Sequence, residues 1–592
     1  MLNLVLLCYN ISNRLEAISM SFFLKKTNNK KGTYLQIYEG FYDPSRGHTA
    51  QRSYRPIGYV HELIEQGIED PLTYFDEEIK QLNLEKKFKK DKEKIKHISE
   101  ETPEKHLGHY LLKSVHDDLG VKNHLDLIQE LYDFNFNAYD VLSSLIYSRV
   151  IYPASKLHSF HHIVPKLYEN YTYSKDQMYR AIEYFGLEHQ KIIQVYNHFV
   201  QEKFGFDTTS TYFDCTNFYF EIDKEDAFRR KGPSKENRNN PIVGMGLLLD
   251  KNQIPIGMNL YPGNESEVQK LPEIIKTMKD SHNIKGKTVR VADKGLNTAG
   301  NIIDALSNGD GYIFSKSIKK LPEVEKTWVL LEHDYFDVLD NDGNLRYKYK
   351  ECIDKFPYRI KNENGKIVTI ELKEKRIVTY TPSLAKKQKR EILKQVEKAK
   401  RNQASQAKRD EYGYSAKFVT FESTDDEGQT TEGKVKVSIN QKAIDEALSL
   451  VGYNMIITSE VDFSAAYTIS TYRNLWRIEE SFRVMKTHLD AQPVHMQKEA
   501  SIIGHFLICY LSVLLLRLLQ FKIFEDKFSS GEIIDFIRNF KVVELSPRKY
   551  MNLTKASSFA SDMSKLTNQP TTLYYLTKGQ VNGIINHRFL RP

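Results

Sequence analysis

From Thr208 to Phe314 the sequence carries a succession of patterns that few folds accommodate: three strands in a row, then helix, strand, helix, strand. Residues 210–216 read as the first strand. Residues 241–250 read as the second, and their near-continuous apolar run suits a strand covered on both faces. Residues 254–261 form the third, closed by the turn signal Pro262-Gly263-Asn264. A helix is expected from about Glu265, a fourth strand over 288–292, a helix from Thr298, and a fifth strand over 311–314. A meander followed by alternating helices and strands implies an α/β architecture built on a mixed sheet. Residues 452–458 resume a buried strand much later. The intervening stretch, 321–455, shows short alternating strands, hairpin signals at Asn341-Asp-Gly343 and Asn364-Gly365, and a basic helix, and so reads as a β-rich insertion.

The same patterns divide the rest of the chain. Residues 1–19 read as an upstream extension ahead of Met20; the apolar stretch from Leu2 to Cys8 lacks the basic flank and small-residue cleavage site of a signal peptide. Residues 20–75 form an N-terminal β-rich region, with turns around Asp43-Pro44-Ser45 and Pro56, and 76–108 a charged helix or linker. Residues 109–205 are helical throughout, and Ser174-Lys-Asp-Gln177 is a capping-box signature. The α/β core then occupies 206–320 and 456–525 on either side of the insertion, and 526–592 form a C-terminal region dominated by helices. The apolar run 506–519 contains Ser512 and Arg517 and is too short for a membrane span, so a buried core helix is expected. The four cysteines are scattered without C-x-x-C spacing, which argues against a disulfide framework or zinc site and for a reducing cytosol.

Three acidic residues stand out within this frame. Asp214 is placed at the end of the first strand and Asp293 directly after the fourth, and strand ends are where ligand sites gather in such sheets. An acid closing an apolar strand is costly to bury unless it is paired or holds a metal. Aspartates also end strands for structural reasons, so each alone is weak. The third lies in a segment read as one helix over 471–486. Leu475, Ile478, Phe482, Met485 and Leu489 recur at helical spacing as a core stripe, and Tyr472, Trp476, Glu479, Arg483 and Lys486 form a second stripe beside it. Glu479 between cations is equally the pattern of surface ion pairing. Glu480 lies about a quarter turn away. Two strand aspartates and one helix glutamate suit hard cations such as Mg²⁺, which take carboxylate oxygens and keep water positions open; two such ions can clamp the attacking and leaving oxygens at phosphorus.

Charge points weakly the same way. The net charge is +8, modest for 592 residues. Between Lys386 and Arg409, however, ten Lys and Arg face only Glu391 and Glu397, a local excess as large as that of the whole chain. Such a helix is either a solvated face or one that tracks phosphates.

The order Asp214, Asp293, Glu479 on strand, strand and helix resembles the ribonuclease-H-like catalytic core of DDE transposases. The spacing of Tyr472, Glu479 and Lys486 is similar to the tyrosine-arginine-glutamate-lysine signature of the bacterial insertion-sequence-four superfamily, as is the wide β-rich insertion before the glutamate. Gly232-Pro-Ser-Lys-Glu-Asn237, Pro262-Gly-Asn-Glu-Ser-Glu267 and Arg477-Ile-Glu-Glu-Ser-Phe-Arg483 resemble a subgroup with an extended N-terminal region. The likeness covers about residues 30–520. It departs at Leu475, where the signature has Arg; Arg473, Arg477 or Arg483 is left to take that role. The resemblance implies cut-and-paste transposition, in which Asp214, Asp293 and Glu479 hold two Mg²⁺ ions, with Mn²⁺ able to substitute, and the freed 3′-hydroxyl attacks target DNA. It implies that Tyr472, Lys486, Arg483 and Lys294 contact DNA, that the helical block recognises the terminal inverted repeats, and that a cytoplasmic, nucleoid-associated homodimer forms the synapse, with no membrane partner. A nuclease without strand transfer and a non-catalytic DNA-binding descendant are the alternatives.

Overall fold

A computed structural model describes residues 21–43, 48–94, 104–236, 239–281, 283–361, 364–405, 409–422 and 436–590. The upstream extension expected over residues 1–19 lies outside them. The chain divides into two compact units, residues 1–102 and 103–592.

In the first unit, strands Phe22–Asn29, Gly32–Asp43 and His48–Tyr59 form an antiparallel sheet. Leu35, Leu63 and Phe75 are buried together between this sheet and helices Val60–Glu65 and Pro71–Lys94. Asn83 ties the longer helix to the sheet edge. Its amide accepts from the Phe22 N–H at 2.8 Å and donates to the Phe22 carbonyl at 3.0 Å.

The second unit is organised by a nine-stranded sheet: β1 Ser210–Tyr219, β2 Ile242–Leu249, β3 Pro255–Pro262, β4 Val289–Ala292, β5 Gly311–Lys316, β6 Phe336–Leu339, β7 Leu345–Lys361, β8 Ile367–Tyr380 and β9 Tyr453–Thr458. Their order is β6-β7-β8-β9-β5-β4-β1-β2-β3. β1, β2 and β3 pair antiparallel, β1 pairs parallel with β4 and β4 with β5, and the remaining neighbours are antiparallel. Meander first, two parallel additions second, is the ribonuclease-H-like order, and the mixed sheet is the one expected. Within the 321–455 stretch only Val419–Glu422 and Lys436–Ile439, among the described residues, pair as a sheet of their own; the longer strands do not. β6, β7 and β8 extend the core sheet through β9, because β9 offers β8 a long antiparallel edge from Tyr453 to Thr458.

Strand alternation sends side chains to opposite faces of this sheet. Phe213, Leu248, Ala292, Tyr312 and Phe314 pack on one face against helices Lys270–Asp280 and Ala299–Ser307. Tyr212, Phe218, Val243, Met245, Val291 and Ile313 fill the other. That second face meets α1 Ala465–Arg473, α2 Trp476–Arg483 and α3 Glu499–Arg517, through Ile469, Ile478, Phe482 and Phe506. The same apolar cluster runs without a break into the helical block, taking in Leu111, Val115, Leu142, Ile146 and Phe185.

α3 is the apolar run expected to be a core helix. With the π turn after it, Leu518–Ile523, it is long and apolar enough to cross a membrane by composition, yet 94% of its most apolar window is buried inside the protein. It crosses helix Lys175–Leu187 at a glycine contact: a Cβ on Gly504 would lie 2.0 Å from the Ile182 carbonyl oxygen, and one on Gly186 1.7 Å from that of Ala500. The capping box predicted at Ser174 is present at the start of that helix. The C-terminal region is less helical than expected. Strands Lys541–Ser546, Lys549–Asn552 and Tyr575–Thr577 form a four-stranded sheet with Glu104–His106, a partner more than 400 residues earlier that local patterns do not reveal.

Candidate active site

Asp214 sits in mid-strand, which corrects the expectation that it ends its strand. β1 continues to Tyr219 because β2 keeps pairing with it as far as Ile242. What stops near Asp214 is the parallel neighbour: Phe213 is opposite Ala292, the last residue of β4. One step further along the two adjacent strands come Asp214 and Asp293, on paths about 4.8 Å apart. Asp214 follows the alternation of Tyr212 and Phe218, which places it on the face covered by α1 and α2.

The 471–486 segment is not one continuous α-helix. α1 ends at Arg473, the backbone tightens to i→i+3 bonds (Leu475 N–H to the Tyr472 carbonyl, Arg477 N–H to that of Asn474, both 3.1 Å), and α2 begins at Trp476. After Arg483 a π turn, Val484–His488, inserts an extra residue into the ladder. The core stripe survives: Leu475, Ile478, Phe482, Met485 and Leu489 are all buried. The second stripe is bent by these adjustments, and its members meet different surroundings.

Tyr472 is the link between helix and strands. Its hydroxyl donates to Asp293 Oδ1 at 3.3 Å. Burial raises its phenol pKa, and the nearby negative charges of Asp293 and Glu479 raise it further. The phenol therefore senses both carboxylates, and the glutamate's helix lies on the same side of the sheet as the aspartates. Glu479 is exposed and, among the described residues, makes no hydrogen bond or ion pair. Glu480 is committed elsewhere: it meets Arg477 at 3.3 Å and the fully buried Arg517 at 3.4 Å, and accepts from Ser530 at 3.3 Å. An Arg out of water needs that charge, so Glu480 is structural and Glu479 is the free carboxylate.

Asp214 is held above the usual carboxylate range, at about 6. Burial is the main cause, the Lys235 ammonium pulls the value back, and the charges of Glu267 and Asp293 push it further up. Lys235 stands 3.9 Å from Asp214 Oδ1 and 3.4 Å from Glu267, and donates to the Cys215 carbonyl. Neither Lys235 nor Glu267 was singled out from sequence, although both lie in the two motifs, 232–237 and 262–267, whose role was not legible there. Glu236 of the first motif accepts from Lys486 at 3.1 Å and from Gln492 at 2.8 Å. Lys486 is thus tethered by a carboxylate, with the Phe218 ring 5.3 Å away.

The other predicted contacts are placed apart. Arg483 is exposed and has no carboxylate partner among the described residues. Of the substitutes for the missing Arg, Arg477 is engaged by Glu480 and by Asp526 at 2.6 Å, and Arg473 lies over the Tyr347 ring. Lys294 is exposed beside Asp293. With Tyr472, Arg473, Lys316, Lys319 and Lys417 it lines a cavity of about 440 Å³ that, among the described residues, has no carboxylate in its wall. Burial lowers the pKa of Lys417 and Lys316, and a neighbouring cation lowers each further, Lys319 in the first case and Arg376 in the second. Leu384, Gln388 and Ile392 of the basic helix Pro382–Ala404 form one side of this cavity, and that helix's own cations are exposed.

The model of the transposase DDE domain matches residues 211–515, just over half of the chain, and spans the nine strands, both aspartates and Glu479. The chain belongs to that family. No curated protein matches it. DDE transposases work with divalent metal ions, and the donors here fit that requirement in kind: hard carboxylate oxygens, one of them raised in pKa by burial and by neighbouring negative charge. Among the described residues, no three acidic, His or Cys side chains stand close enough to enclose one ion together. Two adjacent ions would not need that, since each requires only two of the three carboxylates, with water completing its shell.

Proposed function

We propose that the chain is the transposase of a bacterial insertion sequence of the insertion-sequence-four superfamily, cutting its element from DNA and joining it to a target. The observation that carries this reading is the Tyr472–Asp293 hydrogen bond, which ties α1, the helix directly before the one that bears Glu479, to the sheet face where the neighbouring Asp214 and Asp293 project. Asp214, Asp293 and Glu479 would hold two Mg²⁺ ions, with Mn²⁺ as a substitute; bound there, such ions supply Lewis acidity at the scissile phosphodiester and a ligated water of lowered pKa. Tyr472 holds Asp293 in orientation through its hydroxyl. Lys235 balances part of the acidic charge until ions or substrate arrive. Lys294 and the cations of the adjoining cavity line a path for the phosphates of one DNA strand, and Arg483 contacts the backbone from the exposed side of α2. Lys486 would reach DNA only by exchanging Glu236 for a phosphate. The helical block of residues 109–205 serves in this reading as the domain that recognises the element's terminal inverted repeats. The protein works as a homodimer that pairs two ends, in the cytoplasm on the nucleoid.

The test uses duplexes carrying the DNA ends that flank the gene. Wild type with Mg²⁺ is expected to nick and then join these ends to a target. Glu479→Gln is expected to bind them within about twofold and to lose about a thousandfold or more in cleavage, the scale of removing an electrostatic group at a reacting phosphate. Cleavage retained by Glu479→Gln would refute the assignment. Cleavage without joining would identify a nuclease.

A further inference from the structure

Arg149, near the end of helix Ala138–Ile151, and Lys156, in the helical turn Lys156–His158, are each 4% exposed, and both line a cavity of about 210 Å³. Ser155, Tyr179, His495 and His505 complete its polar wall. No carboxylate among the described residues stands within ion-pair distance of either cation. Among the described residues the Lys156 ammonium makes no hydrogen bond or ion pair, and the Arg149 guanidinium donates only to the Leu489 carbonyl, at 3.3 Å. Asp490, exposed at the rim, is the one carboxylate in the wall among the described residues. His505 adds no negative charge: its Nε2 is 3.1 Å from the Ala491 carbonyl oxygen, and burial, then Lys156 and Arg149, hold the ring neutral.

Two neighbouring cations withdrawn from water without an anion are strongly disfavoured; burial, then the Arg149 charge, hold the Lys156 pKa well below the usual lysine range, so an anion in the cavity is what would keep its ammonium charged. We propose that this cavity is an anion site that takes a phosphoryl group, whose oxygens accept from the Lys156 ammonium and from the remaining N–H groups of Arg149. A guanidinium fork beside a point charge matches a phosphate's oxygens, and the cavity holds about seven water volumes at about 30 Å³ each. The group comes either from a DNA backbone or from free inorganic phosphate. Segment 490–496 forms one wall, and its Gln492 also accepts from the Tyr219 N–H and donates to Glu236 at the edge of the candidate active site. The DNA source rests on the transposase reading; the phosphate chemistry does not.

The full-length protein is melted in chloride and in inorganic phosphate at matched ionic strength, as wild type, Lys156→Met and Asp490→Asn. Phosphate is expected to raise the wild-type melting temperature. Lys156→Met, which replaces a buried amine without a partner by an apolar side chain, is expected to melt no lower than wild type in chloride and to need about tenfold or more phosphate for the same gain. Asp490→Asn keeps a residue that tolerates the left-handed backbone at φ 46° and is expected to need less phosphate than wild type. Binding of a short blunt DNA duplex across a salt series separates the sources: if the group is a DNA phosphate, Lys156→Met reduces the slope of log affinity against log salt by about one. A Lys156→Met protein with unchanged phosphate response and unchanged salt slope overturns the site, as does one that melts well below wild type in chloride. Failure of metal-dependent cleavage in wild type would instead remove the catalytic reading and leave the phosphate result standing.

Discussion

Replacing Asp214 with Asn should make the metal-free protein more stable while abolishing cleavage. In the folded chain the carboxyl pKa rises from 3.8 to about 6, chiefly through burial. A raised acid pKa means that the native state binds a proton more tightly than the unfolded chain does. Stability therefore falls as pH climbs from about 4 to about 6, and stays at the lower level above that. The full displacement corresponds to about 3 kcal/mol. Water reaches a side chain that is 23% exposed, and the half-exposed Lys235 at 3.9 Å offsets little, so part of that amount is expected. Asn removes the ionisation but keeps the size. Thermal melts of both proteins in EDTA should show the variant ahead by a few degrees near pH 8 and level with wild type near pH 4. Mg²⁺ should then stabilise wild type and leave the variant unmoved. A variant that melts lower than wild type near pH 8 in EDTA would refute the reasoning, since Asp214 would then be an acid satisfied by the fold rather than one awaiting a cation.

Tyr472→Phe deletes the 3.3 Å bond to Asp293 without changing the ring; cleavage should fall by about tenfold to a hundredfold, with the melting temperature unchanged, as measured by single-turnover nicking. Gly504→Ala drives a methyl to 2.0 Å from the Ile182 carbonyl, so the two helices must separate; a loss of about 3 kcal/mol or more is expected in the urea midpoint. Lys319→Ala removes a cation from the acid-free cavity beside Asp293; duplex affinity should weaken alike for all sequences, with the salt slope lower by about one.

What could be read from the sequence was local. Alternation and full apolarity marked the strands now seen as β1 to β5, because each is buried on a face its own residues declare. The core stripe on α1 and α2 was legible for the same reason. The tightened turn at Asn474 and the π turn at Val484 were not, since one slightly shortens and the other slightly lengthens the helical path, and the apolar spacing continues through both. Two strands of unlike origin made the C-terminal sheet invisible: Lys541–Ser546 finds its partner in Glu104–His106. Lys235 and Glu267 stood in recognisable motifs, but their role depends on a meeting with Asp214 that only the folded chain provides. Lys156 was not singled out, because a lysine is almost never fully buried and nothing in its local sequence signals that this one is.

The apolar cluster that passes unbroken from the sheet face through α3 into the helices of residues 109–205 has a mechanical consequence. Among the described residues this packing shows no break at which those helices could swing away from the carboxylates. A duplex gripped by them would be presented at a set distance, and the position of the cut would be measured by a ruler rather than searched for by a hinge.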